Sequence, residues 1–426
     1  MVLLLTGASG FLGRHLLEVL SAAGHQVICA VRNTSSKNVQ DPRLRHIAVD
    51  FTRDFDETMW LPRLQGIDGV INAVGIIRET PFQTFDAIHV KTPRALFSAC
   101  VHAGVKLVIQ ISALGADAGA QSRYHRSKKE ADDFLVSLNL PSVIVQPSLI
   151  YGDDGTSAKL FTTLASLPVI PLPGAGKQMI QPVHIEDVSA VIVALLDKKL
   201  SSGTRLPVVG PQPLSYRNFL SILRTSMGLK HPLFIPIPRT LMRIGTSASR
   251  FLPGSLLDNE TLQMLERGNT AAAMPMCALL GRAPKPPEQF ITQRNAAAIR
   301  TQAQLSWLLP MLRISIALVW IVTGIVSAWL FPVAESYALL ARVGIGGAFA
   351  PVMLYGAALL DFIFGAATLL LKRRHYLWLA QLAVIFFYTA IISWKLPEFW
   401  IHPYGPLLKN LPMAAAIWLL LEMEKA

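Results

Sequence analysis

The sequence predicts an α/β domain with a doubly wound parallel sheet and a small substrate lobe, followed by an all-α four-helix transmembrane domain. Three observations predict it. Apolar strand-like runs alternate with helical stretches through the first half of the chain. Glycines recur between the first strand and the first helix, and the C-terminal region is almost wholly apolar. The chain has 426 residues, room for more than one domain. Only 15% of them are charged, against about 25% usually, and most of those charges precede residue 300. The expected divisions are 1–215 for the sheet domain, 216–300 for the substrate-side lobe and linker, and 301–426 for the membrane domain.

The formal net charge of +12 raises the question of nucleic acid. No Lys/Arg run with interleaved aromatics supports that partner, and a basic protein against anionic lipid accounts for the charge more simply. The three cysteines, Cys29, Cys100 and Cys277, are isolated, so neither a disulfide framework nor a metal site is expected, and reduced thiols in a cytosolic compartment are. The opening "MVLLLTGASG" lacks a basic start and a long apolar run, and reads as a strand rather than a signal peptide.

That first strand, Val2 to Leu5, leads into "TGASGFLGRHLLEVL", with Gly7, Gly10 and Gly13 spaced three apart before an amphipathic helix. Glycines permit the tight turn and close approach to a pyrophosphate, and the helix N-terminus favours its charge. The bland alternative is an ordinary glycine-rich turn; strand before and helix after weigh against it. A second strand, Val27 to Val31, ends at Arg32, with Ser35, Ser36 and Lys37 close behind. A carboxylate there would hold a ribose 2′-hydroxyl, whereas a guanidinium suits a 2′-phosphate, so NADP is expected over NAD. A third strand ends at Asp50, a fourth in "NAVG" (Asn72, Ala73, Gly75), and a fifth, after the helix of 92–103, in "KLVIQISALGA". Ligands bind such sheets at the carboxyl ends of the strands, where Gly7, Arg32, Asp50, Asn72 and Ser112 fall.

Together these segments resemble the short-chain dehydrogenase/reductase family, in its extended or atypical form (NAD-dependent epimerase/dehydratase-like). The resemblance covers roughly 1–215 and rests on "TGASGFLG", "VDFTRD", "NAVG", "PSLIYG" and "QPVHIEDV" in the family's order. It implies a Rossmann fold and a dinucleotide held by Thr6, Gly7, Ser9, Gly10, Phe11, Leu12, Gly13, Arg32, Asp50, Asn72, Ala73 and Gly75, with Tyr124 and Lys128 also touching it. It also places Ser112, Tyr124 and Lys128 as catalytic residues.

On spacing alone, Tyr124 and Lys128 are two polar residues one helical turn apart, and a solvated helix face explains them equally well. In the family's frame, a protonated Lys128 is expected to lower the pKa of Tyr124. The phenol then exchanges a proton with a carbonyl or alcohol oxygen that Ser112 polarises, while the nicotinamide exchanges hydride. Two positions depart from the pattern: His89 where an asparagine often supports a proton-relay water, and Gln146 where an arginine is common. Within the family, "LLDNETLQMLERGNTA" (256–271) resembles the branch of the complex I NADPH-binding accessory subunit. The Pro-rich "GRAPKPPEQF" (281–290) reads as a connector.

Four apolar stretches follow, about 314–331, 349–371, 376–392 and 407–421. The first two are long enough to span a bilayer, the last two short. Basic "KRRHY" (372–376) between the second and third predicts a multi-pass inner-membrane protein with its nucleotide domain in the cytoplasm. Asp361, near the middle of the second stretch, is either a functional acid or a hydrogen-bonded strut between helices. This region resembles the DoxX-like membrane family, chiefly in hydropathy and segment count.

Three functions compete on these grounds. The first is a membrane-anchored NADP(H)-dependent oxidoreductase acting on a lipophilic carbonyl, alcohol or quinone-like substrate. The second is a non-catalytic NADP(H)-binding module supporting a membrane redox partner or quinone biosynthesis. The third treats the helices as the functional part, a transporter or channel gated by nucleotide, and four short helices with one central acid make it the weakest of the three.

Overall fold

The structure, a computed structural model, describes residues 1–32, 44–198, 201–238, 240 and 259–424. Ser35, Ser36, Lys37 and the first residues of the 256–271 stretch lie outside the described residues. The chain divides into two compact units, Met1–Ala303 and Gln304–Ala426.

In the first unit, β1 (Val2–Thr6), β2 (Gln26–Val31), β3 (Leu44–Ala48), β4 (Gly69–Asn72), β5 (Leu107–Ile111) and β6 (Ser142–Pro147) join the strand Thr204–Val208 in one seven-stranded sheet. The order runs Thr204–Val208, β6, β5, β4, β1, β2, β3, and every pairing is parallel. A parallel sheet is buried on both faces, and β1 shows how. Leu3 and Leu5 face a core shared with Leu16, Leu20 and Ile192, while Leu4 faces another with Leu96, Phe97 and Leu135. Helix α1 (Phe11–Ala22) supplies the first of these layers, and α2 (Thr92–His102) and α3 (Arg123–Ser137) the second.

The lobe is assembled from separated pieces of chain. Strand Val169–Pro173 pairs in parallel with Leu233–Ile237, and helices Thr156–Ser166 and Tyr216–Ser226 pack beside them. Their core gathers Tyr151, Phe161, Ile170, Phe219 and Phe290. The lobe expected from residue 216 onward therefore begins by residue 150, and the chain returns to the sheet domain through helix Ile185–Asp197 before completing it. The expected connector at 281–290 is strapped down instead. Lys285 bonds Asp187 through its backbone N–H (2.7 Å) and Glu186 through its ammonium (2.6 Å), and Phe290 is buried in the lobe core.

Among the described residues three helices are long and apolar enough to cross a membrane: Gln293–Leu330, which starts in the first unit and continues into the second, and Phe349–Leu370 and His375–Lys395 in the second. The fourth apolar stretch forms the shorter helix Asn410–Met423, of 14 residues, or about 21 Å. Ile316, Trp320, Phe364, Trp378, Ile385 and Ile417 fill the interior, while Leu318, Phe349, Leu359, Phe386 and Trp394 point outward, as lipid-facing helices require. One element was not expected. A ten-residue helix, Val333–Arg342, lies between the first two spans and ends in an Arg342–Glu398 ion pair. Past the other end of the second span, Glu424 takes Arg313, Arg374 (3.9 Å) and the indole N–H of Trp378 (3.2 Å).

Candidate active site

β1 and β4 are adjacent while β2 lies on the other side of β1, so the chain reverses direction across the sheet at that point. Open α/β sheets bind ligands in the crevice formed there. The glycine turn occupies it. Gly7 has φ +70°, which an L side chain resists, and a Cβ on it would lie 2.8 Å from the Ala73 carbonyl oxygen. A Cβ on Gly13 would lie 2.0 Å from the Gly7 oxygen. The turn closes with Gly10 N–H donating to Gly7 O at 2.8 Å, and among the described residues no side chain caps the helix that follows. Its first turn carries no acid, so the leading amides of α1 remain available to a phosphate. The loop thus fits a dinucleotide.

The expected cofactor residues divide by role. Ser9 and Gly10 are exposed at the turn, Leu12 joins the core below, and the Phe11 ring packs where a Cβ on Gly152 would lie. Thr6 and Asn72 are buried, and their side chains bond one another (2.6 Å) while Asn72 also donates to Gln110 (2.7 Å). That chain ties β1, β4 and β5 together inside the sheet. Arg32 is exposed at the end of β2 and faces Asp50 beyond β3. Burial raises the Asp50 pKa, but the Thr52 hydroxyl and amide, Arg53 and Arg32 outweigh it and hold the carboxyl below its usual range.

Ser122 caps α3 by accepting the His125 N–H at 3.2 Å. The helix then carries Tyr124, half-buried, and Lys128, buried, on one face. Lys128 Nζ donates to the carbonyls of Ile111 (3.0 Å) and Val74 (3.3 Å), which fixes it across the ends of β4 and β5. A Cβ on Gly75 would come within 3.1 Å of that nitrogen, so the last glycine of "NAVG" leaves the lysine its place. The Tyr124 ring lies edge-on to Phe85, His89 and His125.

Two expectations change here. Tyr124 is not acidified in the protein alone: burial first, and the charge of Asp132 second, push its pKa up to about 12. Ser112 donates its hydroxyl proton to Asp132, which is fully buried and was not singled out in the sequence. A hydroxyl has one proton, so in this arrangement Ser112 offers a substrate oxygen none.

His89 is closed to proton relay as well. The Ile76 N–H donates to Nε2 at 3.0 Å, so the ring proton lies on Nδ1 and points to Ser127 Oγ at 2.9 Å. Ser127 donates in turn to the Tyr124 carbonyl at 2.8 Å. Burial, with the Lys128 charge, lowers the His89 pKa to about 2 and keeps the ring neutral. Gln146 donates to the Ala116 carbonyl at 3.5 Å. On the loop before α3, Arg267 grips Asp117 (2.6 Å) and the Gly115 carbonyl (2.7 Å), a long-range clamp with no local sequence signal. No group of His, Cys, Asp and Glu among the described residues could hold a metal ion.

A glycine turn at the reversal of a parallel sheet, with a Tyr/Lys pair on the helix after β5, defines a dinucleotide-binding domain of the short-chain dehydrogenase type. Residues 3–208 match the NAD dependent epimerase/dehydratase family, and residues 317–418 match the DoxX-like family. The chain therefore joins an epimerase/dehydratase-like domain to a DoxX-like domain.

Among curated relatives, NADH dehydrogenase (ubiquinone) 1 alpha subcomplex subunit 9, mitochondrial, of Mus musculus is 31% identical over 242 residues, covering 55% of this chain and 63% of that protein. Ceramide reductase of Caulobacter vibrioides is 30% identical over 217 residues, covering 50% and 64%. The chain thus spans just under two thirds of either relative. A nucleoside-diphosphate-sugar epimerase structure from Staphylococcus aureus superposes with a TM-score of 0.56 at 18% identity, covering 68% of this chain and 99% of that one. UDP-glucose 4-epimerase from Thermotoga maritima gives 0.50 at 18% identity, covering 72% and 100%. These two likenesses bear on the fold.

Proposed function

We propose that the protein is a membrane-anchored NADP(H)-dependent reductase of a lipophilic carbonyl compound, with Tyr124 as proton donor and Lys128 as its partner. The observation that carries this reading is the placement of Lys128. A buried ammonium is costly unless it is held, and here two strand-end carbonyls hold it beside the glycine turn, one helical turn from a half-buried tyrosine. When bound, the nicotinamide supplies the hydride. Tyr124, which keeps its proton through the neutral range, is suited to give that proton to the oxygen of a carbonyl as it is reduced. Alcohol oxidation, the reverse of that step, would return the proton to the tyrosinate.

Arg32 supports NADP over NAD through its fit to a 2′-phosphate, and the backbone of the glycine turn would hold the pyrophosphate. A lipophilic substrate agrees with the membrane unit and with the 30% identical relative named ceramide reductase. Lys372, Arg373 and Arg374 support a cytoplasmic location for that end of the bundle and an inner-membrane address. Ser112 as a third catalytic residue, acting through Asp132, and the cofactor residues belong to this proposal.

The test is NADPH oxidation at 340 nm by the detergent-purified protein against quinones and lipid ketones. Turnover lost in both Tyr124→Phe and Lys128→Met supports the reading, and turnover retained in either sinks it. A second reading draws on the Ser112 hydroxyl being turned to Asp132 and on the likeness to a complex I subunit: a non-catalytic NADP(H)-binding module in a membrane redox assembly. Tight NADPH binding without turnover, and a partner recovered with the protein, would favour it.

A further inference from the structure

On helix α3, Tyr124, Lys128 and Asp132 follow at intervals of four residues and share one face. Asp132 is completely buried. One oxygen takes the Ser112 hydroxyl proton, and Arg205 stands 3.7 Å from that same oxygen. Among the described residues the other carboxylate oxygen has no hydrogen-bond partner. The charged and titratable groups facing Asp132 are Lys128 and Asp133 from its own helix and Arg205 from the strand Thr204–Val208, with Tyr124 two turns away. Arg205 is shared, since its other nitrogen bonds Asp133 at 2.5 Å.

An ammonium as buried as Lys128 sheds its proton unless a counter-charge or strong acceptors hold it. The carbonyls of Ile111 and Val74 are neutral acceptors and carry no charge. We propose that Asp132 is a positioning residue that serves as the buried counter-charge of Lys128 and as the acceptor that fixes the Ser112 hydroxyl. This inference deepens the reductase reading and takes from it only the importance of Lys128. Three consequences follow. Lys128 remains an ammonium able to hold a ribose hydroxyl. Burial lowers the Lys128 pKa and raises that of Asp132, each offset in part by the other's charge, so the fields of the two groups oppose one another at Tyr124. Ser112 can donate toward the pocket only when Asp132 takes up a proton and hands the donor role back.

The test follows Lys128 itself and needs no substrate. Competitive acetylation of the full-length protein in detergent, read by mass spectrometry as a function of pH, gives the ionisation of the Lys128 amine. Asp132→Asn preserves shape and removes the charge. The amine should then lose its proton at least about one pH unit lower, roughly a tenfold faster acetylation at a fixed pH below the midpoint. Ultraviolet difference titration, referenced to Tyr124→Phe, should show the phenol ionising at lower pH in the same variant. Asp132→Glu, which restores the charge, should bring both back toward wild type, a rescue that a purely structural role would not give. An unchanged Lys128 profile in a folded Asp132→Asn protein overturns the proposal. Should that variant not fold, Asp132→Glu decides: wild-type ionisation of both groups supports the proposal, and a lowered Lys128 profile in a folded protein overturns it. Because acetylation is independent of turnover, the counter-charge can stand while the reductase reading fails, and the reverse.

Discussion

Replacing Gly13 by alanine should remove dinucleotide binding while leaving the fold in place. The added methyl would lie 2.0 Å from the Gly7 carbonyl oxygen, where ordinary contact begins near 3.4 Å. The turn must therefore withdraw by more than about 1 Å, and Gly7 has little room to move because a Cβ there would already touch Ala73. A shift of that size takes the leading amides of α1 beyond hydrogen-bond reach of a phosphate. Two such charge-assisted bonds, at about 1.5–3 kcal/mol each, amount to at least about 3 kcal/mol, or more than roughly 100-fold in the Kd for NADPH. The folded state loses less. Crowding costs about 1–3 kcal/mol, and the better helix propensity of alanine returns about 1 kcal/mol. NADPH fluorescence titration measures the first effect and the thermal midpoint the second. Gly24→Ala is the control: its φ is +82° and among the described residues nothing lies within 4 Å of an added Cβ, so it should lower stability and leave affinity alone. A folded Gly13→Ala protein that binds NADPH within about threefold of wild type would refute the account of the loop.

Three further outcomes are expected. Arg32→Ala should weaken NADPH by about 10- to 100-fold, the worth of one charged hydrogen-bonding group, and leave NADH affinity nearly unchanged in parallel titrations. An equal loss for both cofactors would remove Arg32 from the 2′-phosphate. His89 should make the protein acid-sensitive. Its folded pKa of about 2 lies below the ordinary 6.5, so between those values the unfolded chain binds a proton that the native ring refuses, and stability falls as pH falls. At pH 5 the loss is about 2 kcal/mol, and His89→Gln should flatten that limb of the thermal midpoint against pH; an equally steep limb in the variant would clear His89 of the effect. In the membrane unit, Glu424→Gln leaves Arg313 and Arg374 without their shared carboxylate. Breaking a buried pair costs about 3–5 kcal/mol, and partial exposure reduces this to roughly 2–3 kcal/mol, visible as a lower melting temperature in detergent; no change would mean that solvent screens the cluster.

What could be read from the sequence was whatever depends on neighbours in the chain. The glycine turn announces itself because strand, turn and helix are contiguous, and Gly7 and Gly13 stand where their absent side chains matter. The membrane spans are legible for the same reason, length and hydropathy being local properties. The helix Val333–Arg342 was missed because a ten-residue amphipathic segment between spans has no hydropathy signal of its own. The lobe's composition was missed because its core is closed by pairing Val169–Pro173 with Leu233–Ile237, two strands more than sixty residues apart.

Asp132 shows the same limit at the site and carries a chemical consequence. Its sequence context, one turn beyond Lys128, is that of any helix acid. Only the approach of Ser112 from β5 and of Arg205 from the far edge of the sheet makes it a buried charge. Once it is placed, the expectation of a lysine acidifying a tyrosine must be rebalanced. An isolated ammonium near Tyr124 would favour the tyrosinate, whereas on the proposed pairing an ammonium offset by a carboxylate leaves the phenol to its burial. The phenol then stays protonated, which under the proposed function suits it to give its proton to a carbonyl oxygen.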